Sequence, residues 1–110
     1  MKVEEKGHTI TIKDTQGNSS AFLEKVTAEY HSFKDKNLIL DLSQDGALSL
    51  NGMLAFLPLS NKHRKAKKSL VLIAPNFDYD DAPDEMVIVP TLLEAHDVIE
   101  MEEIERDLGF

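Results

Sequence analysis

Three uninterrupted apolar runs constrain this chain more than anything else in it: Leu38-Ile39-Leu40, Leu70 to Ala74 and Met86 to Val89. A strand with one wet face alternates apolar and polar residues. A run without alternation marks a strand covered on both faces. Pro75 and Pro90 close the second and third runs. Parallel strands of this kind need long crossovers, usually helices. The intervening segments have that period. Phe22, Leu23, Val26, Tyr30 and Phe33 fall on one helical face, and Met53, Leu54, Phe56 and Leu57 repeat the spacing. Ahead of them, Val3 and the alternating His8 to Lys13 flank Gly7, which predicts a hairpin. The expected fold is α/β: an N-terminal hairpin, then βαβαβα, with a mixed, largely parallel sheet flanked by helices. The 110 residues suit a single domain over 1–110.

Local signals set the expected helix ends. The first helix runs from Ala21 to about Lys36-Asn37. Ser49 is the expected N-cap of a second, from about Leu50 to Lys67, bent near Pro58 because proline cannot bond back to Leu54. Thr91 and Glu94 form a capping box for a third, from about Leu92 to Leu108, with Gly109 as its C′ residue. This last helix carries two apolar stripes. Leu92, Ala95, Val98 and Ile99 share one sector; Met101, Ile104 and Leu108 occupy another, with Leu93 at its edge. Either the helix breaks near Glu100, or Met101, Ile104 and Leu108, with Phe110, form an interface for a second copy or another partner.

Composition removes several function classes. There is no cysteine, hence no disulfide scaffold, thiolate metal site or cysteine nucleophile. Formal net charge is −8, which disfavours nucleic acid and anionic membranes. The N-terminus MKVEEKGHTI has no signal-like apolar core, and no stretch is apolar enough to span a bilayer. A cytoplasmic protein is expected. Charge is nonetheless segregated: Lys62, Arg64, Lys65, Lys67 and Lys68 crowd one stretch, and Asp78, Asp80, Asp81, Asp84 and Glu85 another. Such runs are solvated faces or steer a protein partner.

No catalytic constellation emerges. Neither phosphate-loop nor dinucleotide glycine pattern is present. His8, His31, His63 and His96 lie too far apart for a local metal site, and the Asp78-Asp80-Asp81 run lacks the glycine and terminal glutamate of a calcium loop. Ser49 and His63 on one helix would stand about 21 Å apart, beyond proton transfer. Ser43 next to Asp41 and Asp45 reads as turn capping. No cofactor and no enzyme activity are expected.

The segment from Asn37 to Phe56 resembles the middle of a STAS domain, the fold of anti-sigma factor antagonists and of the cytosolic tails of sulfate transporters. Asp41-Leu42-Ser43 stands for that family's Asp-Leu-Ser, and Ser49-Leu50-Asn51-Gly52 falls on its Asp-Ser-Ser-Gly. Met53 to Leu57 continues as its apolar helix, Lys67 to Ile73 as its next strand, and Thr91 to Ala95 as its final capped helix. The resemblance spans Leu38 to Gly109, with a short region between Ala74 and Met86. It implies a bacterial, non-enzymatic regulatory module that binds a protein partner, such as an antisigma-like kinase or another regulator. The contact would centre on Ser43, Ser49, Leu50, Asn51, Gly52 and Met53. In the family, the serine before the glycine is the phosphoacceptor; here that position is Asn51. The alternative is a small-ligand, anion or nucleotide site at the Ser49–Gly52 helix start, where free amides favour anions. Small chains of this type also carry the label ribonuclease Z. That activity needs a His-x-His-x-Asp-His cluster for two zinc ions, which is absent.

Overall fold

The computed structural model describes residues 1–46 and 48–109, and for Tyr79 the backbone alone. Ala47 lies outside the described residues, as does Phe110 with its expected share in a C-terminal interface. Strands β1 (Lys2–Lys6) and β2 (Thr9–Lys13) form the expected antiparallel hairpin, turning at Gly7 with φ 59°. Strands β3 (Asn37–Asp41), β4 (Leu70–Ile73) and β5 (Val87–Val89) follow in parallel. The sheet order is β1-β2-β3-β4-β5.

That order decides how the sheet is covered. Right-handed crossovers between successive neighbouring parallel strands all fall on the same face. Helices α1 (Ser19–Ala28), α2 (Tyr30–Phe33), α3 (Leu50–Leu54) and α4 (Leu57–Lys65) connect β2 to β3 and β3 to β4. Phe22, Val26, Tyr30, Met53, Phe56 and Leu59 pack from them onto Ile10, Ile12, Leu38, Leu40, Leu70 and Leu72. Among the described residues, the opposite face receives only α5 (Leu92–Asp107), whose Ala95 and Ile99 bury against Ile39, Val71, Ile73 and Val89. β1 is exposed along its whole length, and its charges blunt the open edge.

Two expectations need correction. The helix expected from Leu50 to Lys67 is two helices, α3 and α4, interrupted at Ala55-Phe56. Proline is tolerated in a first turn, where its missing N–H is not needed. The chain therefore restarts a helix just ahead of Pro58 rather than bending one around it. The first helix likewise pauses, at Glu29 between α1 and α2, and begins earlier than Ala21, with Asn18 as its N-cap. By contrast, α5 does not break near Glu100. No glycine or proline interrupts it, so its hydrogen-bond ladder runs through. Leu93, Met101, Ile104 and Leu108 consequently stay exposed, at 59–71% of their full surface.

A buried polar triad joins the first crossover to the second. His63 has no exposed surface. Its Nε2 lies 2.7 Å from the Lys36 carbonyl, and its Nδ1 lies 2.7 Å from the Tyr30 hydroxyl. A carbonyl can only accept, so Nε2–H donates to Lys36 and the neutral ring accepts from Tyr30. The tautomer is fixed without a charge. Burial, above all, lowers the imidazole pKa; the Lys36 carbonyl opposes this, while Lys68, Arg64 and Arg106 repel a proton and lower it further. Tyr30 is pushed up, first by burial and then by Asp35. Lys62 sits 4.8 Å from the Tyr30 ring centre and closes the triad on its outer side.

This predicts the sign of one pH effect. Unfolded, His63 takes a proton near its ordinary value of 6.5; folded, it resists. Below that pH the unfolded chain binds the extra proton first, so stability falls with acid and is fully present above. Urea unfolding from about pH 7.5 to about pH 5 should show that slope. His63→Gln should lose that component of the slope and unfold about 1–3 kcal/mol more easily at neutral pH, because at most one of two buried bonds is replaced.

Candidate functional site

The segment that resembles a switch region lies at the carboxyl edge of the sheet, directly after β3. Leu42 is buried and its N–H donates to the Ile73 carbonyl, which carries the backbone one residue beyond the strand. There the chain turns. The Asp41 carboxylate accepts the Ser43 N–H at 2.9 Å, and the Leu42 carbonyl accepts the Asp45 N–H at 3.0 Å. Asp45 in turn accepts the Ser19 N–H at 3.2 Å, tying the loop to the start of α1. The preceding loop also leans on it: at Gly17, φ 65°, an added Cβ would stand 3.0 Å from the Gln44 carbonyl oxygen. Two loops after adjacent strands thus brace one another.

Ser49 begins α3 as expected. Its backbone is extended, its Oγ accepts the Gly52 N–H at 3.0 Å, and its carbonyl accepts the Met53 N–H. The named residues then divide. Ser43, Ser49, Leu50 and Asn51 are exposed, Gly52 is half-buried and Met53 is fully buried. Met53 therefore belongs to the core, not to a contact surface. Gly52 is kept small by its neighbours: a Cβ there would meet Leu48 Cδ1 at 3.1 Å and Ser49 Oγ at 3.4 Å.

The helix start is poorly suited to an anion. The Gly52 amide is already taken by Ser49, and α3 has only five residues, too few for a substantial dipole. The adjoining cavity, lined by Ser43, Asp45, Leu48 and Phe77 among others, measures about 20 Å³ and has the Asp45 carboxylate on its wall. That is room for about one water.

More space lies along the outer surface of the helical layer. Leu23, Thr27 and Tyr30 on one side, and Ala55, Pro58, Leu59 and Lys62 on the other, line a largely apolar groove of about 210 Å³. The interruption between α3 and α4 helps to form it, because Ala55 and Pro58 turn outward there. The groove was not visible in the sequence, since it depends on that break. Among the described residues, no three histidine, aspartate or glutamate side chains converge as a metal site, and no helix is long and apolar enough to cross a membrane.

Ser49→Ala should cost about 1 kcal/mol by removing the cap. Chemical denaturation of the variant checks it; an unchanged midpoint would mean that α3 is held by its packing alone.

No family model matches the chain, and no curated protein is significantly similar to it.

Proposed function

We propose that this chain is a non-catalytic, STAS-like regulatory module of the bacterial cytoplasm that docks a protein partner, such as an antisigma-like kinase or a related regulator. The observation that carries this reading is the apolar groove between α1 and the α3–α4 pair. Leu23 and Leu59 give it an apolar floor beside exposed Ala55 and Pro58. At the head of α3, Leu50 is 41% exposed, next to exposed Ser49 and Asn51. An apolar segment of a partner laid in the groove would reach these groups with its polar flank. That is the usual anatomy of an interface, an apolar centre with a polar rim. With Asn51 in place of the family's phosphoacceptor, charge is not added at that position, and the complex would form without that switch.

Ala55→Arg places a long cation across the groove from an exposed position. Combined with Leu50→Arg, it should leave thermal unfolding nearly unchanged. A protein captured by the wild-type chain from native lysate, then purified and titrated back by calorimetry, should bind at least tenfold more weakly to the double variant. A partner bound equally well by both would overturn the placement. Absence of any protein that binds again after purification would overturn the function.

A further inference from the structure

The amino edge of the sheet, opposite the candidate site, gathers cations from α4, the turn after it and α5. α4 ends there, β4 begins there, and α5 returns there. Arg64, Lys67, Lys68 and Arg106 line a concavity of about 350 Å³, with Gly109 on its rim. Among the described residues, no carboxylate side chain lines that wall. Arg64 is committed, to Glu102 at 3.2 Å and to the Leu70 carbonyl at 2.9 Å. Arg106 is different. Its guanidinium donates to Ser69 Oγ at 3.0 Å and to Asn37 Oδ1 at 3.3 Å, both neutral and both buried. It is held in place with its charge intact. An adjoining cleft of about 280 Å³ shares Lys67, Lys68 and Arg106, adds Lys36, and is also lined by the acids Asp35, Glu103 and Asp107.

Lysines after a helix commonly serve its carbonyl end. Here that need is already met by the backbone. The Lys68 N–H donates to the His63 carbonyl and the Lys67 N–H to the Arg64 carbonyl, the paired bonds of a Schellman cap. Such a cap puts its C′ residue in the left-handed region, where glycine is strongly preferred. Lys67 occupies it at φ 64°, and among the described residues it is the one non-glycine residue with positive φ. The chain uses glycine at Gly7, Gly17 and Gly109, where φ is also positive. A strained lysine in the position of a glycine points to a use for its side chain.

We propose that Lys67, Lys68 and Arg106 form a binding site for a small phosphate-bearing polyanion. The three cations converge on one concavity in a chain whose net charge is −8. A tetrahedral oxyanion matches the geometry: two flexible ammonium groups close over it, and the free N–H groups of a pre-oriented guanidinium receive it. This site shares no lining residue with the partner-binding groove.

Inorganic pyrophosphate is the probe, with citrate and orthophosphate as comparisons, added to the full chain in thermal unfolding and calorimetry. Pyrophosphate should raise the melting temperature saturably, more than orthophosphate or citrate does, and the rise should shrink as salt increases. Lys67→Gly is the decisive variant. It relieves the left-handed strain, so its ligand-free melting temperature should rise, while its pyrophosphate affinity falls at least tenfold. A loss of binding in a more stable protein cannot come from misfolding. Lys68→Gln should lose affinity similarly, and Lys25→Gln, on α1, should not. No saturable shift at about 10 mM pyrophosphate would overturn the site. So would wild-type affinity in both Lys67→Gly and Lys68→Gln. An equal response to citrate would overturn the assignment to phosphate.

Discussion

Asn37, at the buried start of β3, holds the amino edge of this sheet together. Its Oδ1 accepts the Ser69 N–H at 2.9 Å and a guanidinium N–H of Arg106 at 3.3 Å, while its own N–H donates to the His8 carbonyl at 2.8 Å. One residue thereby links the entries to β2, β3 and β4 with the last turn of α5. The N–H groups of buried Asn37 and Ser69 would otherwise lack a partner, at about 1–3 kcal/mol apiece. The bond to Ser69 also secures the pairing of Leu38 with Leu70. A slip of one residue would turn Leu38 and Leu40 away from the helical layer and toward α5. The two hydrophobic layers both depend on that register.

Sequential strand order then produces an asymmetry that the rest of the molecule must accommodate. Four helices share one face, and a single helix covers part of the other. Where α5 is absent, the sheet shows Lys2, Glu4, Thr11, Lys13 and Asp41 to solvent. Where α5 is present, its inner stripe is spent on Ile39, Val71, Ile73 and Val89. Its outer side carries Leu93, Met101, Ile104 and Leu108 among the exposed acids Asp97, Glu100 and Glu105. Breaking the helix to bury that second stripe would orphan several backbone groups in mid-helix. Continuing it leaves four apolar side chains in water. The helix continues because an intact ladder outweighs burial that no neighbouring element is placed to provide.

What was legible in the sequence follows from the range of each signal. The hairpin at Gly7, the three strands and the Ser49, Thr91 and Gly109 caps are local features, and each appears where local chemistry requires it, although β5 is an edge strand with Val87 and Ile88 only half-buried. Pro58 was visible as a break, but not its position, because a helix can either kink at a proline or restart before it. The Tyr30–His63–Lys36 triad was not legible. Its members are separated by 27 and 33 residues, and a lone histidine in a basic run looks like part of a solvated face. The meeting of Arg106 with Lys67 and Lys68 was hidden for the same reason: it requires knowing that α4 and α5 end at the same edge. For the candidate site, exposure of Ser43, Ser49, Leu50 and Asn51 follows their loop and cap chemistry. The burial of Met53 follows the helical period, which the resemblance alone had obscured.

The two edges of the sheet are joined by α4, and its restraints determine whether they can communicate. It lines the groove at Pro58, Leu59 and Lys62, and the cationic concavity at Arg64. Coupling between distant sites requires an element with two accessible arrangements. α4 has restraints at several points along its second half. Nε2–H of His63 donates to the Lys36 carbonyl, the Tyr30 hydroxyl donates to His63, Arg64 is paired with Glu102, and the Schellman bonds close the final turn. Rotation or translation would break a bond at each of these points, the Tyr30–His63 bond among them fully buried. α4 therefore acts as a fixed strut.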